Sequence, residues 1–217
     1  LSQELDLDAA KPLKLINDPA FCSYLEVEAD NLEGYLFPET YRLSVTASEA
    51  QVLGILVDQF HRVFGPVLQA DARRIGMSTQ EAVTMASIVE GEAQIDRERT
   101  TISAVYHIRI KKRMRLQADP TVQYAIPDGP RRLFNKDYEF KSPYNTYRHR
   151  GLPPGPILSP GAASLAAAVN PADVGYLYFV AKGDGSHLFT TTAAEHKAAK
   201  RKTLAARRKL WKKPKRR

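Results

Sequence analysis

The clearest helical pattern in the chain is a stretch that is apolar on nearly every side. Ser78 and Glu81 have the spacing of a capping box, which predicts a helix that begins at Thr79. The residues that follow, TQEAVTMASIVEGEA, place apolar side chains around almost the whole helix. A helix that is apolar all round is buried, so we expect this one to lie inside the core.

Other periodic stretches predict a helical protein with one β-hairpin. Residues 176–181 and 187–191 flank the turn sequence KGDGS and predict the hairpin. Helical spacing or capping residues predict further helices at residues 48–64, 97–112, 121–124 and 161–169, and from Thr192 onward.

The connections between these elements are rich in proline. Residues 151–161, GLPPGPILSPG, are expected to form a stiff, ordered loop. Ser159 and Pro160 resemble an N-cap followed by proline at the first helical position. Residues 32–43 are expected to be extended and broken at Pro38. Helices, a hairpin and long ordered loops together indicate an α+β fold.

The net charge of +8 comes from one end of the chain. Residues 200–217 contain 11 lysines and arginines and no acidic residue, so subtracting 11 from +8 leaves −3 for the remainder. A basic tail can attract nucleic acid, anionic lipid or an anionic wall polymer. The alternative is that this stretch is simply the solvated end of the last helix. A run of charges with no other signal favours this alternative.

Composition excludes several classes of protein. No run of about eighteen apolar residues occurs, which argues against a membrane-spanning segment in this chain. The polar start at Leu1 argues against a signal peptide and suggests a fragment of a longer protein. Cys22 is the only cysteine, so an internal disulfide and a Cys-based zinc site are excluded. We expect no metal and no cofactor, because HExxH, P-loop, dinucleotide and nucleophile-elbow motifs are missing.

Glu90 is the first candidate for catalysis. It ends an almost wholly apolar helical run, so its carboxyl is expected to leave the helix within or beside the core. Desolvation raises the pKa of a carboxyl, as a general acid that works near neutral pH requires. The alternative is a structural glutamate that forms an ion pair with Arg97 or Arg99.

Three further groups of polar residues are candidates for binding. Glu92 lies two residues after Glu90, on a different face of the helix. Gln117 and Asp119 lie on a rigid turn set by Pro120, and such side chains hold sugar hydroxyls and amides well. The sequence SPYNTY at 142–147 mixes aromatic rings with polar groups. Turn capping and an ordinary surface loop are the alternatives for the last two groups.

Several long motifs, in order along the chain, resemble one known family. MASIVEGEA, RLQADPTVQYA, SPYNTYRHRGLPPGPILSPG and YLYFVAKGDGSHLFTT are similar to the YceG-like family of endolytic murein transglycosylases. LEGYLFPETYRL, which lies before these motifs, resembles the entry segment of the same family. The resemblance covers about residues 32–200. It implies a lead-in at 1–30, as a remnant of a LysM-like region, and a catalytic domain at 31–199, while the charge pattern separates a basic tail at 200–217.

The resemblance implies roles for individual residues. The catalytic glutamate of the family's I-V-E-x-E motif falls on Glu90, and the motif's second glutamate falls on Glu92. The Q-x-D-P-T and Y-N-T-Y motifs, which line the family's glycan cleft, fall on the remaining predicted substrate-binding residues. These are Gln117, Asp119, Thr121, Tyr144, Asn145, Thr146 and Tyr147.

The activity implied is cleavage of peptidoglycan between N-acetylmuramic acid and N-acetylglucosamine to leave 1,6-anhydro ends. One carboxylate suffices, because the sugar's own C6 hydroxyl replaces an attacking water. The alternatives are a hydrolase that uses Glu92 or Asp119 to activate water, and a binding protein without activity. The family further implies a bacterial inner-membrane protein, anchored by an N-terminal helix absent from this chain, that acts in the periplasm. Its partners are glycan strands and candidate peptidoglycan synthases, and nucleic acid is disfavoured.

Overall fold

The computed structural model describes the backbone of residues 10–211 and the side chains of residues 12–205. In chain order, the elements are α1 (Ala10–Ile16), α2 (Pro19–Tyr24), α3 (Glu49–Val63), α4 (Pro66–Arg74), α5 (Thr79–Glu92), α6 (Arg99–Lys111), α7 (Asp119–Ala125), α8 (Ala162–Val169), β1 (Tyr178–Ala181), β2 (His187–Thr190) and α9 (Ala193–Trp211). Short 3₁₀ helices occur at Asp96–Glu98 and Asn135–Glu139. The predicted α+β class is confirmed.

Helix α5 lies at the centre of the core. Ser78 and Glu81 form the predicted capping box, and all eight residues from 82 to 89 are buried. The alanine-rich α8 packs along α5, and α4, α6 and α7 contact it from other sides. The prediction of a buried helix beginning at Thr79 is therefore confirmed.

The predicted hairpin is confirmed by two short antiparallel strands. Tyr178 pairs with Thr190 and Phe179 with Phe189. Helix α9 packs against both strands and begins at the predicted Thr192–Glu195 capping residues. Because α9 continues from residue 193 to residue 211, the predicted boundary at residue 200 falls inside this helix.

The segment before residue 31 packs onto the same core as α5. Cys22 and Val27 are buried in that core, and α1 contacts α3. Residues 32–43 form turns and irregular structure instead of strands, because Tyr35 and Phe37 turn inward to the core rather than pairing with another strand. Within the described residues, no helix is both long and apolar enough to cross a membrane.

The start of α8 differs from the prediction. Gly161, rather than Ser159, is the N-cap, and the helix begins at Ala162. The reason is that the backbone N–H of Gly161 donates to the carboxylate of Glu90 at 3.1 Å. Helix α4 was not predicted, since Gly65 and Pro66 were interpreted only as the end of α3. Pro66 in fact opens the next helix, where its missing N–H costs nothing.

The proline-rich loop is fixed to α5 by specific contacts. The hydroxyl of Ser87 accepts a hydrogen bond from the Ile157 N–H at 3.1 Å, in a buried position. Gly34 has φ +86°, and a Cβ there would lie 2.5 Å from Pro156. Only glycine permits both this backbone conformation and this close approach. The loop is therefore an ordered wall, as its proline content predicts.

Candidate active site

Glu92 lies at the carboxyl end of α5 and is the carboxyl most strongly perturbed in this region. Its Oε1 accepts a hydrogen bond from the hydroxyl of buried Tyr106 at 2.8 Å. Burial raises the pKa of Glu92 from its ordinary value of 4.5 to about 7. The Tyr106 hydrogen bond lowers that pKa, and the charge of Asp119 raises it. Glu92 can therefore hold a proton near neutral pH and still release it, as a general acid must.

The side chain of Glu92 lines a cavity of about 550 Å³. The wall near it contains Tyr106, Gln117, Asp119 and Tyr147. The hairpin and α9 form most of the remaining lining. They contribute Tyr178, Phe179, Val180, Ala181, His187, His196, Lys200, Thr203 and Leu204. The cavity thus combines an acid and polar groups with aromatic rings, which suits a carbohydrate.

A strained turn carries Gln117 into the cavity wall. Gln117 has φ +53°, which is costly for a residue with a side chain. Its N–H donates to the Thr146 carbonyl at 3.2 Å, and the Ala118 N–H donates to the Thr146 hydroxyl at 3.0 Å. Thr121 completes the support, with its hydroxyl 2.8 Å from that of Thr146. The turn is therefore held in a fixed shape by buried hydroxyls.

Asp119 begins α7 and carries an exposed carboxylate on the cavity wall. The hydroxyl of Tyr147 donates to its Oδ1 at 2.6 Å. The rings of Tyr147 and Tyr138 are 4.5 Å apart, and burial, together with the charge of Asp119, raises the pKa of the Tyr147 hydroxyl far above its ordinary value. Tyr147 thus remains a neutral donor that fixes the orientation of Asp119.

Arg109 ties two parts of the cavity wall together. It is 6% exposed, and its guanidinium donates to the carbonyls of Leu116 and Leu177. The same group lies 5.2 Å from the centre of the Tyr178 ring. Arg109 therefore joins the turn before Gln117 to the segment that leads into β1.

Glu90 faces away from this cavity. Its Oε2 lies 3.2 Å from Nη1 of Arg99 and accepts the Gly161 N–H. Arg99 also donates to Ser164 at 2.5 Å and to Asp96 at 3.0 Å. Two residues on an α-helix are separated by about 200° around its axis, which is why Glu90 and Glu92 point in different directions. Glu90 thus has the alternative arrangement, that of a structural glutamate in an ion pair, with Arg99 as its partner.

The structure places the predicted substrate-binding residues in three settings. Glu92, Gln117, Asp119 and Tyr147 line the main cavity together, and Tyr144 lies outside it. The other three are buried, and their side chains hydrogen-bond to the surrounding loops. They are Thr121 at 0%, Asn145 at 0% and Thr146 at 1% exposure.

Asn145 shows why these polar residues are inside. Its amide donates to the carbonyls of Tyr138 and Phe140 at 3.1 and 2.8 Å. Its Oδ1 accepts the Tyr147 N–H at 3.0 Å. The side chain thus satisfies backbone groups that have no secondary-structure partner.

Tyr106 and Arg109 are not among the site residues that the sequence motifs predict. One signal was present: Arg109 falls on the apolar stripe of a predicted helix, three residues after Tyr106, so both side chains face the same side. A charged residue on a core stripe has to be paired or functional. Among the described residues, no group of three His, Cys, Asp or Glu side chains could hold a metal ion.

The fold and the site define a helical protein with a protonatable glutamate at one wall of a polar and aromatic cleft. Comparison with known proteins supplies the family. The sequence model of the YceG-like family matches residues 2–202, and the chain belongs to this family.

Named relatives support this membership. The chain is 40% identical over 177 residues to an endolytic murein transglycosylase of Bacillus subtilis, covering 81% of this chain and 49% of that protein. It is 29% identical over 155 residues to one of Streptococcus pneumoniae, covering 69% and 28%. The chain therefore spans half or less of the length of these relatives.

A solved structure supports the fold. A crystal structure described as a YceG-like protein from Listeria monocytogenes matches with a TM-score of 0.81 and 35% sequence identity. The match covers 89% of this chain and 68% of that one.

Proposed function

We propose that this chain is the catalytic part of a lytic transglycosylase that cleaves peptidoglycan glycan strands, with Glu92 as its general acid and base. The observation that carries the proposal is the carboxyl of Glu92 in the cavity wall, with its pKa raised to about 7. The relatives' name, endolytic murein transglycosylase, supports the choice of substrate.

The reaction requires one carboxyl in two states. Protonated Glu92 gives its proton to the glycosidic oxygen between N-acetylmuramic acid and N-acetylglucosamine, and the bond from that oxygen to C1 breaks. The resulting carboxylate then takes the proton of the muramic acid C6 hydroxyl, while the oxygen of that hydroxyl bonds to C1. The products are a free 4-hydroxyl and a 1,6-anhydro ring, and Glu92 is protonated again.

An intramolecular nucleophile removes the need for a second carboxylate that activates water. Tyr106 fixes the position of Glu92 through its 2.8 Å hydrogen bond. Gln117 and Asp119 are suited to hold sugar hydroxyls and acetamido groups beside it.

Glu90 is the competing candidate for the acid, since the family's motif places catalysis on it by position. Its ion pair with Arg99 and its hydrogen bond from the Gly161 N–H support a structural role instead, because both contacts join α5 to neighbouring helices. In this proposal, Glu90 fixes the ends of α5, α6 and α8 relative to one another.

A hydrolase is a second candidate function, favoured by one observation. Asp119 lines the same cavity as Glu92 and carries an exposed carboxylate, which could activate a water. The two reactions differ in their products, because only the transglycosylase leaves 1,6-anhydro ends.

The deciding experiment compares Glu92→Gln, Glu90→Gln and Asp119→Asn on purified peptidoglycan, with products identified by mass spectrometry. We expect Glu92→Gln to lose about a thousandfold or more in rate, because one group serves both proton transfers. Glu90→Gln, once shown to be folded by circular dichroism, should retain measurable cleavage. Loss confined to Glu90→Gln would transfer the catalytic role to Glu90, and products without anhydro ends would reject the transglycosylase.

We further propose that the full-length protein acts on nascent strands at the outer face of the bacterial inner membrane, beside peptidoglycan synthases. The support is the family resemblance alone. A pull-down with full-length protein that recovers no synthase would contradict this association.

A further inference from the structure

A second cavity of about 340 Å³ lies next to the main one. The two cavities share a wall made of the dipeptides Gly91–Glu92 and Asp119–Pro120. Glu92 and Asp119 line the main cavity, while their chain neighbours Gly91 and Pro120 line the second. A Cβ on Gly91 would lie 2.8 Å from Cβ of Pro120, so these two residues are in direct contact. Glu92 therefore lies beside a ridge formed by Gly91 and Pro120, with a cavity on each side.

The second cavity is apolar and exposes large side chains. Tyr124 is 42% exposed and Leu158 is 40% exposed, and both line it. The ring of Tyr124 lies 4.8 Å from that of Tyr144, which supports it from behind. Exposed aromatic and aliphatic surface at a cavity favours an apolar ligand face. The C–H face of a pyranose ring and the methyl of an acetamido group are both of this kind.

Glu33 adds a partly buried carboxyl beside these rings. Within the described part of the chain, this carboxyl has no hydrogen-bond or ion-pair partner. Burial raises its pKa, and its charge contributes to the raised pKa values of the Tyr124 and Tyr144 hydroxyls, which places it near both. Its oxygens can therefore accept a hydrogen bond from a ligand hydroxyl or amide N–H.

From this arrangement we propose that Glu33, Tyr124, Tyr144 and the second cavity form a sugar subsite across the Gly91–Pro120 ridge from the main cavity. Its occupant is an N-acetylated hexosamine of the same strand, on the far side of the bond that is cut. The sugar lies against Tyr124 and Leu158, and Glu33 accepts a hydrogen bond from it. This inference rests on the proposed function and adds where the second half of the strand binds.

The test measures binding without cleavage. In the Glu92→Gln background, the affinity for chitooligosaccharides of increasing length is measured by calorimetry, since these β-1,4 chains carry the same acetamido groups. We expect affinity to rise with length until both cavities are filled. Tyr124→Ala should weaken binding of the longest chains about five- to tenfold and leave that of the shortest unchanged. Glu33→Gln keeps the shape of the side chain but replaces one acceptor oxygen by an NH₂ donor. It should also weaken binding of the longest chains.

Tyr24→Ala is the matched control, because Tyr24 is 78% exposed and lines neither of the two cavities. The proposal is overturned if Tyr124→Ala binds every length as Tyr24→Ala does, or if the Glu92→Gln protein without a second change gains no affinity from longer chains. Failure of the proposed function is recognised separately, by the parent protein releasing no anhydro-ended products from peptidoglycan.

Discussion

Replacing Glu92 by glutamine is expected to make the protein more stable at high pH while removing its activity. The pKa of Glu92 is raised in the folded protein, from 4.5 to about 7, so the folded state binds the proton more tightly than the unfolded state. The stability that this proton contributes is fully present below about pH 4.5 and is lost as the pH rises through about 7. Glutamine stays neutral at every pH and has no such loss.

The expected magnitude follows from that pKa difference. A rise from 4.5 to about 7 corresponds to about 3 kcal/mol at 1.36 kcal/mol per pKa unit. Because Glu92 retains some contact with solvent, we expect about 2–3 kcal/mol between the two proteins at about pH 8.5, and almost none at about pH 4.

Urea unfolding of both proteins at several pH values measures this difference. Glu90→Gln is the control, since it removes the ion pair with Arg99 and should lower stability at neutral pH. A stability difference between parent and Glu92→Gln that does not change with pH would refute the reasoning, because it would mean that Glu92 titrates normally in the folded protein.

Three further changes test the surroundings of Glu92. Tyr106→Phe removes the hydrogen bond that lowers the pKa of Glu92. The pH at which the cleavage rate falls on the alkaline side should therefore rise by about one unit. Tyr178→Phe is the control, because this change leaves the hydrogen bond to Glu92 intact, and it should not move that pH. Gly91→Ala places a Cβ 2.8 Å from Pro120 and should lower the free energy of unfolding, measured in urea, by about 1–3 kcal/mol. Gly54→Ala in α3 is the control: its Cβ meets only one atom, at 3.8 Å, and the change should raise that free energy by up to about 1 kcal/mol. Thr146→Val leaves the Ala118 N–H without its acceptor and should cost about 1–3 kcal/mol together with part of the cleavage rate, and unchanged stability would contradict the supporting role.

Local patterns predicted the elements whose signals are local. The capping residues at Ser78 and Thr192 and the alternation around KGDGS lie within a few positions of the structures that they specify. Helix α4 was missed because a Gly–Pro pair both ends one helix and begins another. The start of α8 was misplaced because Glu90, 71 positions earlier in the chain, supplies the acceptor for Gly161.

The site shows the same division. Motif spacing brought Gln117, Asp119 and Tyr147 to one cavity with Glu92. It could not separate the roles of the two glutamates, since both follow the same apolar run. Their difference depends on what lies beyond the helix: Arg99 on one side and Tyr106 on the other. Sequence also could not separate the buried Thr146 from the exposed Asp119, because both are small polar residues in a loop-rich part of the chain.

The ion pair between Glu90 and Arg99 has a consequence for the rigidity of the cleft. With Ser164 and the Gly161 N–H, it joins the ends of three helices at one point. The hairpin is held in a similar way, because the guanidinium of Arg109 donates to the Leu177 carbonyl and the imidazole of His187 lies 2.8 Å from the carboxylate of Glu98. Charged side chains, rather than sheet pairing, therefore fix both parts of the protein around Glu92, so the shape of the cleft is set before any ligand binds.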